Sequence, residues 1–140
     1  MHRRFDWFLL AWIGYWLALF AATHIPLPPP GKIIEPHLPW DKVVHFGGYL
    51  VLTLLALLFL SRSRRLRSTH YAGVFLLFAV YGMVDEVTQS FVPRRTCDFW
   101  DWVADISGAG LAIVLSFSCS RLMRSNGNAA SDPPTESEEA

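Results

Sequence analysis

Long apolar runs alternate with short polar segments along this chain. The runs cover Trp7–Thr23, 43–60, 71–84 with a polar extension to 90, and 102–120. A helix needs about 20 mainly apolar residues to cross the hydrocarbon core of a membrane. Residues 8–22 and 50–60 also lack the polar face that a helix of a soluble bundle requires. The pattern therefore predicts an all-α fold, an integral membrane bundle of four transmembrane helices.

The composition agrees with this fold class. The 140 residues are 52% hydrophobic and 17% charged, and the mean hydropathy is +0.29, which is more apolar than a soluble domain of this size. We predict a single membrane domain over residues 1–124, with the lipid bilayer as its partner. The small, polar and acidic segment 125–140 is predicted to be a disordered cytoplasmic tail.

Basic residues are concentrated at the ends of the runs that alternating helices would place on one side of the membrane. The opposite loops hold only Lys32, Lys42, Arg94 and Arg95. Because cytoplasmic loops carry the excess of Lys and Arg, the pattern predicts a multi-pass plasma-membrane protein with both termini in the cytoplasm. Topology explains the arginine-rich loop, so no nucleic-acid partner is predicted. The residues on the basic side are Arg3, Arg4, Arg62, Arg64, Arg65, Arg67, Arg121 and Arg124.

Three polar sets lie on the other predicted side, each reaching about one turn into a helix. Ionisable groups inside a span are costly and usually mark a site, so we expect His45, Glu86 and Asp105 to converge, with Arg95 above them. All members except Asp98 are candidate ligand-binding residues. The sets are Asp41, Lys42, His45 and Tyr49 in the second helix, Asp85, Glu86 and Gln89 in the third with Arg95 after it, and Asp98, Asp101 and Asp105 at the fourth.

Several of these residues also have a purely structural explanation. Asp41 and Asp98 are suited to N-cap positions, Lys42 to extending its ammonium group toward the membrane surface, and Arg95 to pairing with a carboxylate of the fourth set. Glu86 is explained least well in this way, because a carboxylate inside a short span needs a charged or hydrogen-bonding partner.

The polar sets belong to three sequence motifs. These read Asp41-Lys42-x-x-His45-Phe46-x-x-Tyr49, Tyr81-Gly82-x-x-Asp85-Glu86-x-x-Gln89-x-Phe91-x-Pro93-x-Arg95 and Asp101-x-x-Ala104-Asp105-x-x-Gly108. In this order and spacing, over roughly residues 41–115, they resemble the VanZ-like family, named for a teicoplanin-resistance protein. The resemblance implies a small membrane protein of the cell envelope without a settled biochemical activity. Two departures from the family pattern are Asp105 in place of the usual asparagine, and Arg94 in place of the frequent glycine of Pro-Gly-Arg.

Three functions are compatible with these residues. The first is a non-enzymatic envelope protein that binds an anionic lipid-linked headgroup or wall precursor, aided by outward-pointing helix N-termini. The second is a membrane-embedded enzyme acting on such a headgroup, with His45 or Glu86 as the candidate catalytic acid or base. Its candidate cofactor is a divalent cation held by Asp85, Asp101 and Asp105. In the third, the polar residues only join the helices.

Overall fold

A computed structural model describes residues 7–26, 40–63 and 65–129, and within these ranges the chain forms four α-helices and no strand. The prediction of an all-α, four-helix protein is confirmed. Helices α2 and α3 and the Phe99–Met123 part of α4 are long and apolar enough to cross a membrane, whereas α1 is a shorter apolar helix. The helices are α1 (Trp7–Thr23), α2 (Trp40–Ser63), α3 (Ser68–Gln89) and α4 (Phe99–Ala129).

The helices extend beyond the apolar runs into the polar flanks. Helix α4 continues to Ala129, so it includes the first five residues of the segment predicted to be a tail. Elongation of an existing helix adds one hydrogen bond for each residue fixed, so small polar residues can continue a helix that they would not start. The rest of the predicted tail, residues 130–140, lies outside the described residues, as do residues 1–6 and the proline-rich segment 27–39.

Burial in this bundle is reversed relative to a soluble protein. Asp105 is 0% exposed and Glu86 is 2% exposed, while Leu58, Leu76 and Val80 are 52%, 64% and 56% exposed. Apolar side chains face lipid in a membrane, and ionisable groups must face protein or water. The exposed apolar surface and the buried carboxylates therefore agree with a membrane protein whose polar residues point into the bundle.

Helix α2 packs most extensively on α4, and glycines permit this close approach. A Cβ atom on Gly108 would overlap the backbone carbonyl oxygen of Phe46. A Cβ atom on Gly82 would lie 3.0 Å from Oδ2 of Asp105, so α3 also approaches α4 closely at this level. The two contacts bring the polar residues of the three helices within hydrogen-bonding reach of one another.

The two ends of the bundle differ in composition. At one end lie all six acidic residues of the described ranges, which are Asp41, Asp85, Glu86, Asp98, Asp101 and Asp105. We refer to this end as the polar half. The other end, the apolar half, has a buried core that includes Leu52, Ala56, Leu57, Tyr71, Val74 and Phe78.

Candidate functional site

The centre of the polar half is formed by one side chain from each of α2, α3 and α4. His45 Nδ1 lies 3.0 Å from Asp105 Oδ1 and 3.6 Å from Glu86 Oε1. The three side chains are at most 3% exposed. The structure thus brings together the three residues that spacing alone predicts to meet, and it buries them completely.

Glu86 connects α3 to the start of α4 as well as to His45. Its Oε2 accepts a hydrogen bond from the backbone N–H of Asp98 at 3.0 Å. Its Oε1 accepts one from Gln89 Nε2 at 3.2 Å. The need of this buried carboxylate for partners is therefore met by a backbone donor, an amide and a histidine, and not by a lysine or arginine.

Lys42 joins α2 to the start of α4 at the rim of the site. Its Nζ donates hydrogen bonds to Asp98 Oδ2 at 2.7 Å and to Asp101 Oδ1 at 2.8 Å. The alternative explanation, in which Lys42 only extends toward the membrane surface, does not hold, because two carboxylates of α4 bind its ammonium group. Lys42 and Asp98 are 34% and 38% exposed, so this rim is open where the centre is closed.

Asp98 is the N-cap of α4, as predicted, since its Oδ1 accepts a hydrogen bond from the Trp100 backbone N–H at 2.8 Å. The hydrogen bond from Lys42 and the one from Trp100 hold the pKa of Asp98 below its usual value. Asp41 does not occupy the N-cap position of α2. It lies in the first turn of that helix, where its charge is favourable to the helix dipole.

Arg95 lies above the site but does not pair with the carboxylates of α4. Its Nη1 is 3.5 Å from Asp41 Oδ1, and its Nε donates a hydrogen bond to the carbonyl oxygen of Ile25 at 3.2 Å. The pairing with Asp98 or Asp101 suggested by sequence proximity is therefore wrong, because the loop after α3 directs Arg95 toward α1 and the start of α2.

A tight turn sets this direction. The Arg95 backbone N–H donates a hydrogen bond to the carbonyl oxygen of Val92 at 3.1 Å, and Arg94 has a φ of 67°. Proline at the second position and a positive φ at the third are the features of a type II β-turn. Arg94 thus occupies the left-handed conformation that glycine adopts at least cost, at the position where the family pattern often has glycine.

A second polar network lies beside the first and includes residues of α1. Asp85 Oδ1 accepts a hydrogen bond from Thr23 Oγ1 at 3.3 Å, and its Oδ2 accepts one from Gln89 Nε2 at 3.0 Å. His24 Nδ1 is 3.8 Å from Asp85 Oδ1, and its Nε2 is 3.0 Å from Thr88 Oγ1. Gln89 bridges this network to Glu86.

Sequence reasoning missed Thr23, His24 and Thr88. A signal was present, because Thr23 and His24 end the first apolar run on the same predicted side as the three polar sets. Threonine and histidine after an apolar run are also common at ordinary helix ends. This signal alone therefore does not distinguish a functional site from the end of a helix.

Two buried oxygen atoms of the site have no hydrogen-bond partner among the described residues. They are the Tyr49 hydroxyl and Asp105 Oδ2. Tyr49 is 0% exposed, and its ring packs against Tyr81 with centroids 5.9 Å apart. An unpartnered buried polar atom costs about 1–3 kcal/mol, so these two oxygens are the groups in the site most in need of a partner.

The carboxylates could hold a hard cation in two overlapping ways. One group is Asp41, His45 and Asp101, and the other is His45, Glu86 and Asp105. Within each group the ligand atoms lie within 4.8 Å of one another. Oxygen-rich sets of this kind suit divalent cations. The structure does not assemble the predicted set of Asp85, Asp101 and Asp105, because Asp85 belongs to neither group.

The positive charges of the site are already paired within it. Lys42 binds two carboxylates, and His45 and Arg95 each face at least one. We refer to all the residues of the site as the polar cluster; its members are Thr23, His24, Asp41, Lys42, His45, Tyr49, Asp85, Glu86, Thr88, Gln89, Arg95, Asp98, Asp101 and Asp105.

Comparison with known proteins agrees with the motifs. The family model described as VanZ/LLP1 matches residues 7–121, which include all four helices of the described chain except the end of α4. An uncharacterised protein of Schizosaccharomyces pombe is 39% identical over 77 residues, covering 54% of this chain and 46% of that protein. The chain thus spans about half the length of this curated relative. No solved structure matches the chain. The match over residues 7–121 shows that this membrane protein belongs to the VanZ/LLP1 family.

Proposed function

We propose that this protein acts in the cell envelope by binding the anionic headgroup of a lipid or lipid-linked wall precursor at the polar cluster, through a divalent cation. The observation that carries the proposal is the excess of carboxylates in the cluster. Six acidic side chains are present, whereas the cations Lys42 and Arg95 are already held by them. A bare anion would meet a negative site, and a bound divalent cation would reverse that charge.

The rim group of Asp41, His45 and Asp101 is the better candidate for this cation. The Asp41 side chain is 57% exposed, so a ligand can reach a cation held there. The inner group is buried on all sides, and a headgroup could not approach it without separating the helices. In this proposal Glu86 and Asp105 orient His45 from the inside, since a metal-binding histidine is commonly fixed by a carboxylate.

The proposed topology places the polar cluster outside the cytoplasm. In support, Arg62, Arg65, Arg67 and Arg121 lie at the end of the described bundle opposite the six carboxylates, as the positive-inside rule requires. A Cys119→Ser variant retains Cys97, which is exposed in the loop before α4. We expect a membrane-impermeant thiol reagent to label Cys97 in intact cells. Labelling only after the cells are opened would contradict this orientation.

The binding proposal is tested with the purified full-length protein and vesicles. We expect vesicles containing phosphatidylglycerol to bind more strongly in the presence of Mg²⁺ or Ca²⁺, and EDTA to remove this increase. Asp101→Asn should weaken the cation dependence, because it removes a ligand of the rim group. Asp85→Asn is the matched control for Asp101→Asn. Both residues are buried aspartates, but Asp85 belongs to neither cation group.

Each result separates the candidate functions. Binding that EDTA does not change would contradict a cation bridge. An equal effect of Asp85→Asn and Asp101→Asn would contradict the rim group as the cation site. Absence of any cation or headgroup binding, with stability reduced by both substitutions, would favour a cluster that only joins the helices.

The second candidate is a membrane-embedded enzyme that uses the same cation. It is favoured by the 3.0 Å contact between His45 Nδ1 and Asp105 Oδ1, because a carboxylate that orients a histidine is a common feature of acid–base catalysis. In this case His45 or Glu86 would transfer the proton. Mass spectrometry of the lipid after incubation distinguishes the two functions, since a binding protein returns the headgroup unchanged.

A further inference from the structure

A basic cavity lies at the end of the bundle opposite the polar cluster. Its volume is about 820 Å³, and Arg65, Arg67, Ser68 and Arg121 contribute to its lining. These residues belong to the loop between α2 and α3, the first turn of α3 and the last turns of α4. The cavity is therefore at the level where the membrane-spanning parts of the three helices end.

An apolar groove continues from this cavity toward the middle of the membrane. Its volume is about 650 Å³, and its walls include Leu54, Leu58 and Leu115. Arg65 and Leu66 line both spaces, so the groove and the basic cavity adjoin. Leu58 is 52% exposed and lies well inside the span Trp40–Ser63, which places the groove at the depth of lipid acyl chains.

The arginines of the cavity are available to an anion. None of the salt bridges between described residues involves Arg65, Arg67 or Arg121, and no acidic residue of the described ranges lies at this end. Helix α3 begins at Ser68, so the positive end of its dipole adds to the same potential. Arg121 lies over the ring of Phe117 with its Cζ 5.0 Å from the centroid, which keeps its guanidinium beside the cavity.

We propose that the cavity and groove together bind one anionic phospholipid. Its phosphate lies among Arg65, Arg67 and Arg121, and one acyl chain occupies the groove beside Leu58. Basic pockets between membrane helices recognise anionic headgroups in this way. The site is separate from the polar cluster, and it requires no divalent cation because its own side chains supply the positive charge.

The test is native mass spectrometry of the full-length protein in detergent, with added phosphatidylglycerol or phosphatidylcholine and with EDTA present. We expect retention of one phosphatidylglycerol and weak retention of phosphatidylcholine. Each arginine near an anionic headgroup contributes about fivefold in affinity, so the combined variant Arg65→Gln, Arg67→Gln, Arg121→Gln should bind about a hundredfold more weakly. Arg62→Gln is the matched control, because Arg62 lies at the same end over the ring of Phe8 and does not line the cavity.

A groove variant tests the acyl chain. Leu58→Trp fills the groove from a half-exposed position, so the protein should fold, and we expect it to lose phosphatidylglycerol while the arginines remain. Equal retention of the two lipids, or equal loss in the triple variant and in Arg62→Gln, would overturn the proposal. Competition by millimolar inorganic phosphate, with no effect of Leu58→Trp, would reveal a phosphate site without a lipid chain. Retention only after deletion of the acidic segment 130–140 would assign the cavity to that segment instead.

Discussion

In the polar half of the bundle, α2, α3 and α4 meet through charged and hydrogen-bonded side chains, whereas in the apolar half the same helices meet through side chains such as Leu52, Leu57 and Phe78. Within a membrane, an apolar side chain gains little by leaving lipid for a neighbouring helix, so packing alone stabilises that half. A buried carboxylate, in contrast, has no acceptable position in lipid. The contacts of the polar half therefore determine which faces of the helices meet. The side chains of the apolar half fill the rest of the bundle interior.

The two halves should also respond differently to amino-acid substitutions. Each contact of the polar cluster joins a particular donor to a particular acceptor, such as Lys42 to Asp101 or Glu86 to the Asp98 backbone. In the apolar half, a core position requires a side chain of suitable volume but no specific partner. This half also opens into the groove beside Leu58. We therefore expect substitutions in the polar half to change function and stability separately, and those in the buried core of the apolar half, such as Phe78, to change chiefly stability.

The largest effect is expected at Glu86. Glu86→Ala leaves the Asp98 backbone N–H and one of the two Gln89 Nε2 donor hydrogens without an acceptor, at about 1–3 kcal/mol for each. Glu86→Gln keeps the shape and one acceptor oxygen, so it should fold better than the alanine variant while losing the cation-dependent part of headgroup binding. Reversible unfolding in mixed detergent and the vesicle assay measure the two quantities. Phe78→Leu is the control from the apolar half, where we expect reduced stability with binding retained.

Two outcomes would contradict the difference between the halves. Full binding by Glu86→Gln would show that the charge is dispensable for headgroup binding, which removes the role proposed for Glu86 in orienting His45. Equal destabilisation by glutamine and alanine would mean that the carboxylate matters only for the folding of the bundle.

The next largest effect is expected at the junction of the two halves. A Cβ on Gly108 would overlap the Phe46 carbonyl oxygen, so Gly108→Ala must move α4 away from α2 and separate Asp105 from His45. Overpacking of this kind costs about 1–3 kcal/mol. Gly110→Ala is the matched control two residues further along α4, because its nearest neighbour is Phe75 at 3.9 Å. Similar unfolding midpoints for the two variants would contradict the packing assigned to Gly108.

A smaller, stabilising effect is expected in the loop that directs Arg95. Arg94 has a φ of 67°, a conformation that costs an L-residue with a side chain about 1–2 kcal/mol and costs glycine little. Arg94→Gly should therefore stabilise the folded protein by about 1 kcal/mol, measured as a higher midpoint of detergent-induced unfolding. Arg94→Ala, which removes the charge but keeps the strain, should show no such gain, and an equal gain would attribute the effect to charge.

The smallest effect concerns the exposed rim. The pKa of Asp98 is lower in the folded protein than its usual value, so the stabilisation by its ionised form is fully present above the unfolded pKa, about 3.9. It is lost as the pH falls from there through the folded pKa. We expect the difference in stability between the native chain and Asp98→Asn to be constant near neutral pH and to shrink below pH 4. A difference that shrinks already between pH 7 and pH 5 would point to another titrating group.

The sequence by itself determined the fold class, the family and the convergence of the central residues. Apolar runs interrupted at matching depths are sufficient for this, because a carboxylate such as Glu86 or Asp105 within a span must face the interior and helical spacing fixes its depth. The N-cap role of Asp98 also follows from local chemistry, since it precedes an apolar run and its side chain bonds to the Trp100 backbone N–H two residues later.

Only the tertiary structure decided which partners meet. Asp85 accepts a hydrogen bond from Thr23 of α1 and shares no cation group with Asp101 or Asp105. Arg95 reaches Ile25 and Asp41 in place of Asp98. These pairings depend on the orientation of each helix about its own axis and on the direction of the turn that contains Arg94. The spacing of residues within a single helix determines neither of them. The adjoining basic cavity and groove likewise arise from the ends of three helices together. Spacing fixes the depth of a side chain in the membrane, whereas packing between helices fixes its neighbours.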